Sequence, residues 1–208
     1  MLAVFVDFDG TITDVDTFDA LVRAVAGDAA WTAIDEPLLA GKITLREALA
    51  RQAAAIRLSR PETLAFMEAH THVDPAFGPF VEAVRAHGGT IRVVSSGIAT
   101  VIHDALARAG VEVEVIANDV DFAPDGWTMT FVDPSDNGHD KAAHVRAARK
   151  DGARTVYIGD GLSDFAAALE ADERFAKKGR ALEAYCRARG VACEPFESFR
   201  EIQRRLFR

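Results

Sequence analysis

Two aspartates near the start of the chain, Asp7 and Asp9, have a spacing that suits catalysis or metal binding. They follow the apolar run Leu2 to Val6 and precede Gly10 and Thr11. Side chains two residues apart on a strand point to the same face, so both carboxylates can enter one site. Carboxylates this close repel each other unless a cation or a shared proton lies between them. The pair therefore indicates a metal site, a nucleophile with an acid/base partner, or both.

Two later apolar runs, residues 91–94 and 155–158, also end in small or acidic residues. The residues that follow these runs are Ser95, Ser96, Gly97, Gly159, Asp160, Gly161 and Asp164. In an open parallel α/β sheet the ligand binds beyond the carboxyl ends of the strands. A parallel sheet would bring the ends of all three runs to one edge. We therefore expect a shared site of aspartates, the Ser95 hydroxyl and the backbone amides near Gly97.

The order of these residues resembles the four motifs of the haloacid dehalogenase superfamily. The matching residues are Asp7 to Thr11, Ser95, Lys141, Gly159-Asp160 and Asp164. One Asp-x-Asp-Gly pattern is common by chance, whereas four ordered motifs on plausible strands and helices are highly specific. The resemblance implies a phosphatase that binds Mg²⁺ and acts on a small phosphorylated metabolite.

The resemblance assigns the covalent chemistry to three residues. Asp7 would be the nucleophile that attacks phosphorus and becomes an aspartyl phosphate. Asp9 would protonate the leaving oxygen and then accept a proton from the hydrolytic water. Lys141 would counter the charge of the phosphate and the nucleophile. Taken alone, a lysine in this segment would be solvent-exposed, and Lys150 is the alternative if the register differs.

The phosphate would be bound by Lys141 and by the segment that follows residues 91–94. Ser95, Ser96 and Gly97 offer hydroxyls and free amides near the start of a predicted helix, a normal place for an anion. We prefer Ser95 for the motif position because it directly follows the apolar run, and Ser96 is the competitor.

Magnesium would take oxygen ligands from Asp7, the Asp9 carbonyl and Asp160, because this hard cation prefers oxygen. Asp164 would either bind the metal directly or support one of its ligands. The six histidines form no metal-ligand pattern, and we expect His139 to face solvent or to cap a helix.

Within the superfamily the layout resembles the phosphoserine phosphatase branch, and most closely the phosphatases of methionine salvage, which act on a methylthio-keto-pentenyl phosphate. The finer likeness depends on the long insert after the first motif. It also depends on the tail from Asp172 to Phe199, with its Arg-Phe-Ala segment and residues 182–186.

Substrate choice is expected to lie in the insert, with Asp16 and Arg51 as the candidate residues. Phosphoserine phosphatases carry an arginine there for the substrate carboxylate. A gapless match from Gly41 places Gln52 at that position and Arg51 one residue away, although Gln52 is the polar exception on an otherwise apolar helix face. We therefore expect a neutral keto- or hydroxy-alkyl phosphate to be preferred to phosphoserine.

The pattern of elements predicts an α/β fold, a Rossmann-like doubly wound parallel sheet with an inserted α-helical cap. Residues 14–79 show helical patterns without a clear strand, and Thr44 with Glu47 forms a capping box at the start of one helix. Strands and helices alternate after residue 80, which implies a sheet covered on both faces. We assign residues 1–13 and 80–208 to the catalytic core and residues 14–79 to the cap.

One stretch of the core departs from this alternation. Residues 111–117 are predicted to form a strand of their own. Asp125-Gly126 between apolar stretches predicts a hairpin that pairs residues 120–122 with residues 127–132.

The composition is that of an ordinary globular enzyme, with 208 residues, 49% hydrophobic residues and a net charge of −8. The acidic balance argues weakly against nucleic-acid binding, and no apolar stretch approaches the ~18 residues of a membrane span. The start lacks the basic segment and apolar core of a secretory leader, so we expect a cytoplasmic protein. The two cysteines fit reduced thiols, and we expect a monomer or a homodimer.

Other functions remain open at this stage. Phosphoserine phosphatase and a phosphomutase of the same superfamily share the motifs. A receiver-like signalling domain also uses clustered aspartates, a hydroxyl and a lysine, but its phospho-acceptor would end the third strand. A non-catalytic phosphate-binding scaffold is the remote alternative, although every expected polar residue is present.

Overall fold

The computed structural model describes residues 1–207, in which seven strands form one sheet. The strands are β1 Leu2–Val6, β2 Thr90–Ile98, β3 Glu114–Asp121, β4 Thr128–Thr130, β5 Arg154–Gly159, β6 Glu173–Lys177 and β7 Glu194–Phe196. Their order across the sheet is β4-β3-β2-β1-β5-β6-β7. All neighbours are parallel except β4, which runs antiparallel to β3. The predicted doubly wound α/β sheet is confirmed.

Helices cover both faces of this sheet, which explains why β1 is apolar throughout rather than alternating. The core helices are α5 Phe77–Ala86, α6 Ala99–Arg108, α7 Lys141–Lys150, α8 Phe165–Glu170, α9 Ala181–Ala188 and α10 Phe199–Leu206. Val4 and Val6 pack with residues of α5, α6 and α10 on one face. Ala3 and Phe5 pack with residues of α7, α8 and α9 on the other face. The period of two along the strand thus divides β1 between two apolar layers.

Four helices are inserted between β1 and α5. They are α1 Thr17–Ala26, α2 Asp28–Leu39, α3 Leu45–Ala55 and α4 Arg60–His70. The predicted capping box at the start of α3 is confirmed, because Glu47 N donates to Thr44 Oγ1 and Thr44 N donates to Glu47 Oε2. A single bridge between Thr13 and Val73 closes the base of the insert. The exact boundary between cap and core stays a prediction. In residues 1–207, no helix combines the length and apolar character needed to cross a membrane.

The inserted helices pack against the segment that contains β4. Trp127 is buried in the same apolar cluster as Phe18 and Leu49 of the insert, and its Nε1 donates to the Leu58 carbonyl at 2.7 Å. Arg46, in α3, donates from its guanidinium to the Asp133 carbonyl at 2.7 Å. The segment around residues 127–136 therefore connects the cap to the core.

The predicted hairpin is present, but its first arm belongs to a longer strand. Val120 pairs with Met129 as expected. Residues 111–113 are not in a strand, and β3 runs on from Glu114 to Asp121 through the polar residue Asn118. Asn118 is tolerated inside a strand because its amide donates to the Ser96 carbonyl and its oxygen accepts from Val132 N.

Candidate active site

The sheet order brings the three predicted motif ends together. The strand order reverses at β1, because β2 to β4 lie on one side of it and β5 to β7 on the other. Ligands of open α/β sheets bind at such a switch point. Asp7 follows β1, Asp160 follows β5, and Ser95 lies near the end of β2. A cleft of about 200 Å³ opens at this edge between the core and the inserted helices.

Three carboxylates crowd one point of the cleft floor. Single oxygens of Asp7, Asp160 and Asp164 all lie within 4.8 Å of one another. Burial and the neighbouring Asp164 charge raise the pKa of Asp7 well above its usual range and that of Asp160 to about 7. Gly10 has a φ of +69°, and a Cβ there would overlap the Asp160 carboxylate. A hard divalent cation fits this crowding, because its positive charge would offset the repulsion between the carboxylates.

Asp164 differs from the other two carboxylates because its oxygens already have partners. Oδ1 accepts from Lys141 Nζ at 2.8 Å and from the Tyr157 hydroxyl at 2.6 Å. Oδ2 accepts from the backbone amides of Asp160 and Gly161, both at 2.9 Å. Burial opposes ionisation, but Lys141 and these hydrogen bonds outweigh it and hold the pKa of Asp164 below its usual value. This arrangement favours Asp164 as the support of Lys141 and the Asp160 loop rather than as a direct metal ligand.

Lys141 is buried, with 2% of its surface exposed. Its Nζ donates to Asp7 Oδ1 at 2.6 Å, to Ser163 Oγ at 2.9 Å and to Asp164 Oδ1 at 2.8 Å, which uses all three donors of an ammonium. Burial alone would lower its pKa, but the two carboxylates raise it above the usual range. Lys150, the alternative considered from the sequence, is exposed at the other end of α7. The structure thus brings Lys141, and not Lys150, to Asp7.

Asp9 lines the same cleft and is fixed by Thr17, the first residue of α1. Its Oδ1 accepts from Thr17 N at 3.0 Å and from the Thr17 hydroxyl. A Cβ on Gly97 would overlap Asp9 Oδ2, so only glycine fits there. Burial raises the pKa of Asp9 although the Thr17 hydrogen bonds oppose it. A raised pKa lets a carboxyl hold the proton that a general acid must donate.

The predicted phosphate-binding segment is part of β2 rather than a helix N-terminus, since α6 begins only at Ala99. The pairing of β2 with β3 is shifted between Ser95 and Ile98. Ser95 is buried and its Oγ accepts from Gly97 N at 2.9 Å. Ser96 Oγ is buried without a hydrogen-bond partner among residues 1–207. Both serines line the cleft in which Asp7 and Asp9 lie.

The cap side of the cleft is partly acidic and partly apolar. Its carboxylates are Asp16, Asp19 and Asp35, and Gln52 Nε2 donates to Asp19 Oδ1 at 2.9 Å. The apolar lining residues are Phe18, Ile34, Leu38, Leu39, Leu45, Ala48 and Leu49. Within residues 1–207, no lysine or arginine lines this cleft.

The structure places Asp16 at the cleft but does not bring Arg51 there. Arg51 is exposed on α3, whereas its neighbour Gln52 is buried and lines the cleft. Adjacent residues on a helix point about 100° apart, so the two cannot share this position. The structure therefore does not support the expectation that Arg51 contacts the substrate, and it places Gln52, on the apolar face of the helix, at the cleft instead.

Three residues of the site belong to none of the four sequence motifs. Thr17 donates to Asp9, and Tyr157 donates to Asp164. The sequence signal available for Tyr157 was a hydroxyl inside the apolar run of β5. His139 was expected to face solvent or to cap a helix, and this was wrong. It is fully buried, and its Nδ1 lies 2.7 Å from the Ser95 carbonyl oxygen.

Comparison with known sequences points to one family. Residues 4–169 match the haloacid dehalogenase-like hydrolases. Pdp3-interacting factor 1 of Schizosaccharomyces pombe is 36% identical, over 99% of this chain and 94% of that protein. Polyol phosphate phosphatase PYP1 of Saccharomyces cerevisiae is 31% identical, over 96% and 90%. A 2-hydroxy-3-keto-5-methylthiopentenyl-1-phosphate phosphatase of an Exiguobacterium species is 28% identical, over 96% and 94%.

Comparison with solved structures agrees with the fold. A phospho-aspartyl intermediate analogue of phosphoserine phosphatase superposes with a TM-score of 0.74 at 17% identity. The match covers 98% of this chain and 97% of that one. At this identity the likeness concerns the arrangement of sheet and inserted helices.

Proposed function

Because the chain belongs to the haloacid dehalogenase-like hydrolases and is a phosphatase of that family, we propose that it hydrolyses a small phosphate monoester through an aspartyl phosphate. The observation that carries the proposal is the position of Asp7. Its carboxylate accepts from the Lys141 ammonium at 2.6 Å, and it lines one cleft together with Asp9 and the Ser95 segment. This set combines a nucleophile, a charge partner, an acid/base and a phosphate-binding turn.

The chemistry of the first step is divided between two carboxylates. Lys141 holds Asp7 Oδ1, which leaves Oδ2 to attack phosphorus. The bond from phosphorus to the ester oxygen breaks, and Asp9 gives its proton to the departing alcohol. In the second step Asp9 takes a proton from water, and the oxygen of that water displaces Asp7 from phosphorus.

A magnesium ion would be held by Asp7, the Asp9 carbonyl and Asp160. When bound, it supplies positive charge that offsets the phosphate oxygens and the nucleophile. The crowding of carboxylates and the raised pKa of Asp160, about 7, support this donor set. Lys141 contributes a second, fixed positive charge next to Asp7.

The cap favours a leaving group without a negative charge. A substrate carboxylate would meet Asp16, Asp19 and Asp35 with no lysine or arginine in the described lining to offset their charge. Carboxyl and amide groups are good partners for hydroxyls and carbonyls. Two relatives are named as phosphatases of phosphate esters whose alcohol part is uncharged, a polyol in one and a methylthio-keto-pentenyl group in the other. We therefore propose a neutral hydroxy- or keto-alkyl phosphate as the substrate class, ahead of phosphoserine.

A phosphate-release panel with and without Mg²⁺ tests this function. The panel contains a pentitol phosphate, the methylthio-keto-pentenyl phosphate, phosphoserine, phosphoethanolamine and p-nitrophenyl phosphate, and Asp7→Asn serves as the blank for contaminating phosphatases. A missing charged hydrogen bond is worth about 1.5–3 kcal/mol, so neutral esters should exceed phosphoserine about 10- to 100-fold in kcat/KM. No turnover of any ester, or full turnover in EDTA, contradicts the phosphatase mechanism. Phosphoserine or phosphoethanolamine as the best substrate contradicts the substrate class alone.

A pair of adjacent variants tests the cap residue. Gln52→Arg supplies the cation that a substrate carboxylate needs, so it should raise the ratio of phosphoserine to polyol phosphate activity about tenfold or more. Arg51→Ala is the matched control on the exposed face and should leave this ratio unchanged. An effect of Arg51→Ala with none of Gln52→Arg would reverse the assignment.

A further inference from the structure

The phosphate-binding turn of β2 lacks part of the normal strand pairing. Ser95 is opposite Ala117, and the next paired residue is Ile98, opposite Asn118, so β2 has two unpaired residues in between. Such an irregularity leaves backbone groups without their ladder partners. Buried carbonyl groups must then find other donors.

Two buried side chains supply those donors. Asn118 Nδ2 donates to the Ser96 carbonyl at 2.9 Å. His139 Nδ1 is 2.7 Å from the Ser95 carbonyl, which can only accept, so this nitrogen carries the hydrogen. Each carbonyl at the turn thus has one side-chain donor from a different part of the core.

The ring of His139 has one hydrogen to give. Burial lowers its pKa to about 4, so the ring is neutral near pH 7. With the hydrogen on Nδ1, the other nitrogen must accept. His144 Nε2 lies 2.9 Å from His139 Nε2 and therefore donates to it. The pair fixes both tautomers, with hydrogen on Nδ1 of His139 and on Nε2 of His144.

His139 also touches the start of α7. Its carbonyl accepts from Lys141 N at 2.9 Å. One residue thus joins the turn that carries Ser95 to the helix that begins with Lys141, whose ammonium holds Asp7. A shift of about 1 Å between such groups can cost a large part of the rate.

We propose that His139, held in one tautomer by His144, is a positioning residue that presents Ser95 and the neighbouring amides to the phosphate. The proposal rests on the proposed function for the identity of the ligand. It predicts that the Nδ1 donor of His139, and not the size or burial of the ring, determines phosphate affinity.

Two amide variants separate the ring nitrogens. The amide nitrogen of His139→Asn can occupy the place of Nδ1, whereas that of His139→Gln can occupy the place of Nε2. Calorimetry with inorganic phosphate and Mg²⁺ should show affinity within about threefold of wild type for His139→Asn and about tenfold or more weaker for His139→Gln. Urea unfolding of both variants reports whether the fold survives. Equal phosphate affinity in the two folded variants would overturn the proposal.

A second pair of variants and a spectroscopic measurement do not depend on His139→Gln folding. His144→Gln keeps a donor near Nε2, and His144→Phe removes it, so only the latter should weaken phosphate binding. Long-range ¹H–¹⁵N spectra of the histidine rings at pH 7 should show His139 with hydrogen on Nδ1, and a mixture of tautomers in His144→Phe. Hydrogen on His139 Nε2 in the wild type would refute the proposal. Wild type that binds phosphate without turnover would refute the proposed function alone.

Discussion

The replacement Lys141→Met gives the sharpest test of the active-site electrostatics. Methionine keeps the length and flexibility of the side chain but removes the charge and all three donors. The Lys141 ammonium bridges two buried carboxylates, at 2.6 Å from Asp7 and 2.8 Å from Asp164. Breaking a buried ion pair from one side costs about 3–5 kcal/mol, because the partner charge stays buried without compensation.

The two carboxylates should respond differently. Asp164 keeps the Tyr157 hydroxyl and two backbone amides. Asp7 loses Lys141, and its pKa, already raised by burial, rises further. A carboxyl whose pKa in the folded state is above the unfolded value destabilises the protein increasingly as pH rises through that window. The loss of stability in Lys141→Met should therefore be larger at pH 8 than at pH 5.

Urea unfolding in EDTA at both pH values measures this loss, with phosphate release as the functional assay. We expect a loss of about 3–5 kcal/mol at pH 8, partial recovery in Mg²⁺, and a fall of about 10³-fold or more in kcat. Lys150→Met is the matched control on the same helix, exposed, and should change stability by less than about 0.5 kcal/mol. A loss below about 1 kcal/mol for Lys141→Met with kcat within tenfold of wild type would refute the bridging role.

Four further predictions concern the same cleft. Asp9→Asn should slow hydrolysis of alkyl phosphates more than that of aryl phosphates, whose leaving groups need less protonation; rapid-quench labelling should detect accumulated phosphoenzyme. Tyr157→Phe removes a 2.6 Å hydrogen bond to a buried carboxylate and should cost about 2 kcal/mol in urea unfolding. EDTA should abolish turnover and Mg²⁺ restore it, whereas Ca²⁺ should bind with little activity because its looser shell misplaces the nucleophile. Burial lowers the pKa of His139 to about 4, so its contribution to stability is lost as pH falls from about 6.5 to 4; wild type should lose about 3 kcal/mol more than His139→Asn over that range.

The candidate catalytic carboxylates could be placed from the sequence because their positions depend on local periodicity. Asp7 and Asp9 share a strand face two residues apart, and parallel strands must end at one edge. The same reasoning located Asp160, the turn at Ser95 and the capped start of α3. The order of the motifs indicated the family, since each motif follows a recognisable element.

The finer features of the site depend on contacts between residues far apart in the chain. Thr17 reaches Asp9, and His139 reaches the Ser95 carbonyl across 44 positions. No local pattern encodes such a pair, because a histidine before a helix is equally compatible with a solvent-facing or a buried ring. The strand predicted for residues 111–117 has the wrong bounds for a similar reason, because β3 begins at Glu114 and continues to Asp121. Asn118 fits inside it only because its amide is paired across the sheet.

By itself, the sequence determined the apolar strands, the residues that end them, the helical insert and the family, because these follow from spacing along one element. Only the tertiary structure decided that Gln52 rather than Arg51 lines the cleft and that Asp164 supports Lys141. The first outcome depends on which face of a helix meets its neighbour. The second depends on which carboxylate oxygens already accept hydrogen bonds. Those quantities are set when separate elements pack against each other, so they do not follow from the order of residues within any one of them.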